Sequence, residues 1–434
     1  MSPPNKRKNQ NEKVACSKEV SFVQQRRLVF TVKEFFYIVT AVLLLFQVYL
    51  QQDIKIMQYF DEIVAVFCLI KILISAVNGQ LEKEHAILLA IMAVAALIGL
   101  VSGVISKVQT GIVPILTDLG NTFKVFVTFL GSALYLKNIS DKKKIINTMG
   151  ALMRGFVLVL FVCMVLHEVG IIKMGEDDRY GFVSFRFFNG VAGELSMVLC
   201  AIMLILTIDK QYHPYRKSDT IYIVMALLVW LSTLRARAFM FVLIYVYLYL
   251  LIIRRQQQFK LNVKNGLFVL GAIALFGADQ LDTYFANTAT ARYNLLKYGF
   301  HTMQRFFPLG AGFATFGTDA AFKYYSPLYE EYGLNSVYGL SPNFGAFAHD
   351  TYWPAIFAQF GAVGTVLMVI LVLRMLLSIV RKARHNRFGY MAAIFICITQ
   401  ITASIATATF FHFVTVALFF LVPLAFGTNE DSLQ

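Results

Sequence analysis

Charged side chains and cysteines are scarce in this chain of 434 residues. Only 15% of the residues are charged and 58% are hydrophobic, a balance that excludes an ordinary soluble domain. The 5 cysteines lie in the basic N-terminal stretch or inside apolar runs, so we expect no disulfides. No small-residue cleavage pattern follows the first apolar run, so we expect a retained span there and not a signal peptide.

Several signatures of soluble enzymes are absent as well. The sequence has no Walker phosphate loop, no HExxH, no GxSxG and no paired CxxC, which argues against an ATPase, a zinc protease and a serine hydrolase. The one acidic cluster that offers ligands for a divalent cation is Glu176-Asp177-Asp178. Consecutive carboxylates in a solvated loop usually hold no metal, so we predict neither a metal site nor a cofactor.

Acidic residues are outnumbered by basic ones, 25 against 39, which gives a net charge of +14. The basic residues form short clusters between apolar runs, so membrane topology explains them better than nucleic-acid binding does. We expect no nucleic-acid partner. With the N-terminus inside, the clusters at residues 137–144, 216–217, 254–264 and 381–387 also lie inside, which predicts an N-in, C-in topology.

Apolar runs of membrane-spanning length recur along the chain and predict an all-α, polytopic membrane helical bundle of about twelve transmembrane helices. The predicted spans are residues 35–50, 60–77, 86–105, 113–136, 146–171, 187–208, 221–234, 239–253, 267–281, 353–380, 390–409 and 411–426. The predicted organisation is a basic cytoplasmic tail (1–33), nine spans (34–282), an extracytoplasmic segment (283–352), three spans (353–427) and a cytoplasmic tail (428–434).

The extracytoplasmic segment is too long and too aromatic for a simple connector. Between residues 281 and 353, about 18 residues are Phe or Tyr, so we expect an ordered and functional segment. Apolar residues recur at helical spacing with basic residues between them, which predicts an amphipathic helix on the outer membrane surface. The apolar positions are Tyr293, Leu296, Phe300, Met303 and Phe307.

The predicted outer side carries more arginine than topology requires. Arginine binds phosphate groups in a bidentate manner, so these residues are candidates for holding a phosphorylated headgroup, and snorkelling at the membrane boundary is the alternative for each. They are Arg186, Arg235, Arg237, Arg292 and Arg305.

His349 lies where the segment returns to the membrane, in Ala348-His349-Asp350-Thr351-Tyr352-Trp353. It is either a general base or a histidine of the interfacial aromatic belt. Neighbouring arginines would lower its pKa and keep the imidazole neutral. Glu194, early in an apolar run, either pairs with an arginine or binds a sugar hydroxyl.

Four motifs occur in one order between residues 292 and 364. They are Arg292 at the start of a helix, Pro308-Leu309-Gly310-Ala311-Gly312-Phe313, Ala348-His349-Asp350-Thr351-Tyr352 and Gln359-Phe360-Gly361-Ala362-Val363-Gly364. Together they resemble the O-antigen ligase and polymerase superfamily, multispanning bacterial glycosyltransferases that act on undecaprenyl-pyrophosphate-linked sugars. The hairpin Ser232-Thr233-Leu234-Arg235-Ala236-Arg237-Ala238, and Arg186 with Gly190-Val191-Ala192-Gly193-Glu194, are similar to upstream segments of that family.

Three positions depart from the family pattern. Asp350 replaces the usual Asn, Gln359 replaces the usual acid, and Leu234 stands where Ser often precedes Arg. The last departure leaves open whether Arg235 or Arg237 is the family arginine.

The resemblance implies that arginines hold the pyrophosphate of the donor and that His349 deprotonates the attacking hydroxyl. The donor-binding candidates are Arg292, one or both of Arg235 and Arg237, and Arg186. Glu194, Asp350 and Tyr352 are candidates for acceptor binding or for structural support. Fixed guanidinium groups would stabilise the leaving group without a metal.

The implied function is inverting polymerisation of undecaprenyl-pyrophosphate-linked oligosaccharide repeats into an O-antigen, capsule or exopolysaccharide, on the extracytoplasmic face of the bacterial cytoplasmic membrane. The expected partners are the lipid-linked donor and acceptor, membrane lipids and a chain-length regulator. Within the same chemistry, a ligase that transfers glycan to a lipid or protein acceptor is the alternative. A lipid-linked sugar flippase or secondary transporter, and a non-enzymatic scaffold, are alternatives of other classes, although we find no internal repeat of the kind carriers show.

Overall fold

The computed structural model describes residues 30–139, 141–213, 216–259, 262–281, 286–343 and 351–427, with the backbone alone at Glu176 and at 278–281. His349, Asp350, the C-terminal tail and most of the N-terminal tail therefore lie outside the described residues.

The chain divides into two units, Met1–Tyr37 and Ile38–Gln434. In the first unit, the described residues contain a reciprocal helix cap. The backbone N–H of Thr31 donates to Glu34 Oε2 at 3.0 Å, and the N–H of Glu34 donates to Thr31 Oγ1 at 3.3 Å. This Thr-x-x-Glu pattern satisfies two N–H groups that a helix start leaves without partners. All other described features, apart from the start of the helix Val32–Leu50, belong to the second unit.

The structure is 75% helical with almost no sheet in the described residues, so the all-α class is confirmed. The α-helices of the described chain are α1 (Val32–Leu50), α2 (Phe60–Val77), α3 (Lys83–Ser106), α4 (Ile112–Leu136), α5 (Lys142–Glu168), α6 (Ala192–Tyr212), α7 (Lys217–Ser232), α8 (Ala236–Leu248), α9 (Val263–Leu281), α10 (Ala291–Arg305), α11 (Asp319–Lys323), α12 (Pro327–Glu331), α13 (Trp353–Lys382), α14 (Arg387–Ala406) and α15 (Phe413–Leu421). A π-helical turn, Tyr249–Arg254, continues α8, and two short strands, β1 (Gly175–Arg179) and β2 (Phe182–Phe185), form a hairpin.

Each predicted span falls largely within one of these helices. Eight helices of the described chain are long and apolar enough to cross a membrane, so the protein is membrane-embedded. They are α1, α3, α4, α5, α6, α8 with its π-helical turn, α13 and α14. The other four predicted spans correspond to helices that are too charged or too short to be counted among these eight. The helix α2 carries three charged residues, α7 has only 16 residues, and the apolar parts of α9 and α15 are shorter still. The count of twelve and the orientation stay predictions.

Ion pairs join the helix ends that the topology assigns to the cytoplasm. Glu82, at the start of α3, contacts Lys137 after α4 at 3.4 Å and Lys382 at the end of α13 at 2.7 Å. Glu84 pairs with Arg381 in the same region. The N-terminal end of α3 therefore lies beside the C-terminal ends of α4 and α13, as consecutive spans of alternating direction require.

Residues 286–343 fold around a small core of their own. The helix α10 begins at Thr290, whose Oγ1 accepts from the N–H of Tyr293 at 3.2 Å, and it packs against α13. The core between α10, α11 and α12 is apolar and aromatic, and its largest residues are Leu295, Phe316, Tyr329, Leu334 and Leu340. Many aromatic side chains of this segment therefore serve packing.

The predicted amphipathic helix is present as α10, but its buried face differs from the predicted apolar stripe. Asn294, Leu295, Gly299 and Thr302 are buried, whereas Phe300 of the stripe is 42% exposed. A glycine and two small polar side chains allow α10 to approach α13 closely, and a Cβ on Gly299 would lie 2.8 Å from the carbonyl oxygen of Pro354. The placement of the stripe on the membrane surface stays a prediction.

Candidate functional site

Arg235 stands at the N-terminal end of α8, in the tight turn that follows α7. The preceding Leu234 has a φ of +49°, which turns the chain sharply between the two helices. Arg235 Nη2 donates to Asp177 Oδ2 at 2.7 Å. Its Nε is buried and has no hydrogen-bond partner among the described residues. Because a buried donor without a partner is costly, this side of the guanidinium is suited to receive a ligand oxygen.

Asp177 is carried by the β1–β2 hairpin, a segment that the sequence predicted to be a loop. Tyr180 and Gly181 form its two-residue turn, and both have positive φ angles, +54° and +82°, as a type I′ turn requires. The pairing is irregular between Gly175 and Asp178, so Asp177 lies in a bulge, a feature that redirects side chains. Its carboxylate also lies 3.9 Å from Arg179 Nε.

The electrostatics of Arg235 show which arginines share its surroundings. Burial lowers its pKa, and the positive charge of Arg179 lowers it further. The charge and the hydrogen bond of Asp177 act in the opposite direction, and the charge of Arg292 adds a smaller lowering. Asp177 contacts both Arg179 and Arg235, and Arg292 is near enough for its charge to act on Arg235. We call these three residues, which come from β1, α8 and α10, the arginine cluster.

Helix dipoles add to the positive potential of the arginine cluster. Arg235 is the N-cap of α8, and Arg292 lies in the first turn of α10. Helix N-termini carry a partial positive charge and unpaired N–H groups, and both favour anions. The planar guanidinium of arginine can bind a phosphate or a carboxylate through two hydrogen bonds.

Arg237 lies two residues after Arg235 but has different contacts. Its Nη2 donates to the carbonyl oxygen of Gly193 at 2.6 Å, at the start of α6. A Cβ on Gly193 would lie 2.4 Å from that nitrogen, so a larger residue there would displace the tip of the Arg237 side chain. Arg237 thus ties α8 to α6, whereas Arg235 belongs to the arginine cluster.

Arg186 and Glu194 bind the two backbone polar groups of Gly190. Arg186 Nη1 donates to the carbonyl oxygen of Gly190 at 2.8 Å, and the N–H of Gly190 donates to Glu194 Oε2 at 3.0 Å. The Gly-x-x-Gly-Glu segment therefore forms a local turn that leads into α6. These contacts support a structural role for Glu194, and its predicted binding of a sugar hydroxyl stays a prediction.

The two glycine motifs of the family resemblance interlock. The helix α13 is broken at Gly361, which has φ +60° and ψ −162°. The N–H groups of Ala311 and Gly312 donate to the carbonyl oxygens of Ala358 and Gln359 at 2.8 and 2.9 Å. The N–H of Val363 donates to the carbonyl oxygen of Pro308 at 3.2 Å. The segment 308–312 therefore satisfies backbone groups that the break leaves without helical partners.

Two serines of α3 hold the same segment from its other side. Ser102 and Ser106 each donate their hydroxyl at 2.6 Å, to the carbonyl oxygens of Leu309 and Ala311. Gly312 lies against the backbone of α3, and a Cβ on it would come within 2.4 Å of the nitrogen of Gly103. The segment is thus fixed between α3 and α13.

Gln359 is fully buried, and its side chain is hydrogen-bonded to Asp118 of α4. Its Nε2 donates to Asp118 Oδ2 at 2.7 Å, and the same oxygen accepts from the N–H of Ala314 at 2.5 Å. Asp118 is 1% exposed. A carboxylate on α4 thus stands opposite the amide on α13, a long-range pair that no local pattern in the sequence indicates.

Tyr352 is a packing residue in this structure. It is fully buried, and its ring lies 4.9 Å from that of Phe411, 5.1 Å from that of Trp353 and 5.2 Å from that of Phe410, measured between centroids. Two roles were predicted for Tyr352, acceptor binding and structural support, and these contacts support the structural role. His349 and Asp350, which precede it, lie outside the described residues, and the roles predicted for them are untested.

The acidic cluster at 176–178 is only partly described, because the side chain of Glu176 is not. Asp177 binds arginine, as stated above. Within the described ranges no group of three His, Cys, Asp or Glu side chains is placed to hold a metal ion. The four described cysteines are free.

Sequence reasoning missed Arg179 and Asp118. Arg179 follows two aspartates in a polar stretch, and its proximity to Arg235 depends on the hairpin fold. Asp118 offered one usable signal, since a carboxylate inside a span requires a partner.

No protein-family model matches this chain, and no curated protein matches it. The likeness to the O-antigen ligase and polymerase superfamily therefore rests on the motifs and their geometry alone.

Proposed function

We propose that the protein is a glycosyltransferase that polymerises undecaprenyl-pyrophosphate-linked oligosaccharide repeats into a surface polysaccharide. The reaction takes place on the extracytoplasmic face of the bacterial cytoplasmic membrane and needs no metal. The observation that carries the proposal is the arginine cluster, in which Arg235 and Arg292, both predicted as donor-binding residues, share one electrostatic environment.

The arginine cluster supports diphosphate binding in three ways. Guanidinium groups fit phosphate oxygens in pairs. Arg235 retains a buried Nε–H without a partner in the described structure. Arg235 and Arg292 also stand at helix N-termini, where the field favours anions.

The chemistry follows from the leaving group. An acceptor hydroxyl attacks the anomeric carbon of the donor sugar, a C–O bond forms, and the bond from that carbon to the diphosphate oxygen breaks. The electron pair leaves with the lipid diphosphate, and the arginines stabilise its growing negative charge. Attack from the side opposite the leaving group inverts the anomeric centre.

His349 receives the proton of the attacking hydroxyl in this proposal, because a neutral imidazole is a base suited to pH 7. His349 lies outside the described residues, so this role rests on the resemblance.

A few exposed aromatic side chains remain for sugar binding. Phe316 and Tyr329 are fully buried in the core of residues 286–343, whereas Tyr324 is 39% and Tyr338 is 69% exposed. Aromatic faces suit the C–H faces of pyranose rings, so we assign that role to Tyr324 and Tyr338.

The test replaces Arg292 or His349 with Ala in cells that lack the native copy, and resolves the surface polysaccharide by size. We expect chain growth to stop at single repeats. Arg305→Ala and His301→Ala are matched controls, since Arg305 lies at the other end of α10 and pairs with Glu331, and His301 packs its ring beside Tyr332. Both controls should retain long chains.

Other outcomes separate the alternatives. Normal chain lengths at normal protein levels in Arg292→Ala and His349→Ala would contradict an enzymatic role. Full-length chains that stay on the lipid carrier would identify a ligase. A block in transport of single repeats across the membrane would identify a flippase.

The metal-free claim has its own test. Purified protein, lipid-linked repeat and excess chelator should still give product. Loss of product that magnesium restores would contradict the claim and direct attention to Glu176, Asp177 and Asp178.

A further inference from the structure

The carboxylate of Asp177 lies between two arginines of the arginine cluster. Its Oδ2 accepts from Arg235 Nη2 at 2.7 Å and lies 3.9 Å from Arg179 Nε. The Asp177 side chain is 48% exposed, that of Arg179 is 39% exposed and that of Arg235 is 22% exposed. Asp177 can therefore leave the pair without opening a buried core.

This arrangement is built into the hairpin. Arg179 is paired in register with Phe182 beside the turn, whereas Asp177 falls in the irregular stretch between Gly175 and Asp178. A regular strand would direct the side chains of residues 177 and 179 to one face in a fixed way. The bulge instead allows the residue 177 side chain to be redirected toward Arg235.

A single aspartate oxygen does not satisfy Arg235. The contact engages Nη2, while the buried Nε remains without a partner in the described structure. A phosphate group presents several acceptor oxygens and can accept from both donors along one edge of a guanidinium. A diphosphate can also extend to a second arginine, and Arg179 is the one that already contacts the same carboxylate oxygen.

We propose that Asp177 is an internal substitute for a phosphate group, displaced when a diphosphate binds, and that Arg179 is a further diphosphate-binding arginine alongside Arg235. The identity of the diphosphate as a lipid-linked sugar donor rests on the proposed function. The exchange of Asp177 for an anion rests on the contacts alone.

The exchange is energetically easy. Ion pairs between partly exposed side chains stabilise a protein only weakly, and a diphosphate carries more charge than one carboxylate. Asp177 keeps the arginines satisfied and oriented in the free protein, and its negative charge competes with the ligand. Removal of that charge should therefore tighten diphosphate binding.

The test measures the Kd of inorganic pyrophosphate for the full-length protein in lipid nanodiscs. We expect Asp177→Asn to lower the Kd about two- to fivefold, in line with the loss of one weak competing ion pair. Arg179→Ala should raise the Kd at least tenfold. Asp178→Asn is the matched control, because it removes the same charge from the neighbouring residue and should change the Kd less than twofold.

Asp177→Ser is a second variant in case the Asn form fails to fold, and thermal unfolding of each variant reports on folding. An Asp177→Asn or Asp177→Ser Kd equal to that of Asp178→Asn, or weaker than wild type, overturns the displacement. An Arg179→Ala Kd equal to wild type overturns the assignment of Arg179. Pyrophosphate binding too weak to measure in wild type and both Asp177 variants overturns both.

The two proposals fail in different ways. Tighter pyrophosphate binding by Asp177→Asn, in a protein that makes no polymer from any lipid-linked repeat, would uphold the exchange and overturn the proposed function. Polymer synthesis with no response of the Kd to Asp177 would do the reverse.

Discussion

Gly310 and Gly361 exclude a side chain from each other's position. A Cβ on Gly310 would lie 2.4 Å from the backbone nitrogen of Gly361, and a Cβ on Gly361 would lie 2.4 Å from that of Gly310. Both residues also have positive φ angles, +87° and +60°. The contact between the segment 308–312 and the broken helix α13 therefore requires glycine on both sides.

Gly361→Ala should destabilise the protein by about 3 kcal/mol or more, since it adds a backbone clash to a conformation, φ +60° and ψ −162°, that essentially only glycine adopts. The measurement is thermal or denaturant unfolding in detergent micelles. Gly333→Ala is a matched control, because Gly333 has a φ of +67° but no atom within 4 Å of its ideal Cβ. It should cost only about 1–2 kcal/mol.

Equal destabilisation by the two alanine variants would contradict this account. It would mean that the left-handed backbone alone, and not the close approach of the segment 308–312, requires glycine at position 361.

Arg235 and Arg237 should respond differently to replacement. Arg235→Ala should lower the turnover of a lipid-linked repeat about 100-fold or more, the usual effect of removing a donor that stabilises developing charge. Arg237→Ala should instead lower stability by about 1–3 kcal/mol, because it removes the hydrogen bond to the Gly193 carbonyl. Initial rates and unfolding temperatures on the same preparations separate the two effects.

The reverse pattern would make Arg237 the donor-binding arginine. Arg235→Lys, which keeps the charge but loses the planar fork, should recover only part of the activity.

Local patterns were sufficient to predict most of the helices. The apolar run at 60–77 predicted α2 to the residue, and 267–281 predicted the end of α9, because lipid-facing and buried helices both need long apolar stretches. The hairpin β1–β2 was missed, since Gly175–Arg179 is polar and short and its pairing with Phe182–Phe185 depends on a two-residue turn.

Only part of the candidate site could be predicted from the sequence, because contacts between residues distant in the chain leave no local pattern. Arg235 and Arg292 could be selected because arginine on the outer side is uncommon. Arg179 could not, because its role depends on its contact with the distant Arg235. Asp118 could be suspected as a carboxylate inside a span, but its partner, Gln359, could not be predicted. The family resemblance singled out both glycine motifs but did not explain why they occur together. The close contact between Gly310 and Gly361 explains it.

Glu82 should make stability depend on pH in the acid range. A hydrogen bond from Lys382 is the main cause that lowers its pKa from 4.5 to about 2. A lowered pKa means that the stabilisation is fully present above about pH 4.5 and is lost as the pH falls toward 2. The Glu82 side chain is 41% exposed, so we expect its charge to contribute less than about 1 kcal/mol to the free energy of unfolding.

The measurement compares unfolding of wild type and Glu82→Gln between pH 7 and pH 2. The difference between their free energies of unfolding should disappear as the pH falls. At neutral pH this difference should be smaller in a background that carries Lys382→Gln. A gap that is the same at all pH values would show that Glu82 acts through packing instead of charge.

Asp118 and Gln359 form a buried hydrogen-bonded pair in which the amide of Gln359 donates and the carboxylate of Asp118 accepts. Gln359→Glu would introduce the acid that the resembled family usually carries, directly opposite a buried carboxylate oxygen at 2.7 Å. Two buried like charges without a compensating cation are strongly unfavourable, and we expect a loss of about 3 kcal/mol or more at neutral pH. Stability should return in part as the pH falls, because protonation of one carboxyl group removes the repulsion.

Asp118→Asn should be milder, about 1 kcal/mol, because an amide oxygen can still accept from Ala314 and Gln359. In the double variant, the amide introduced at position 118 can donate to the new carboxylate at position 359, so stability should exceed that of Gln359→Glu alone. A double-mutant cycle from denaturant unfolding measures this coupling. If the two losses simply add, the charges at positions 118 and 359 do not interact, and the departure from the family acid needs another cause. If the double variant recovers, Asp118 on α4 explains why this chain carries Gln at position 359.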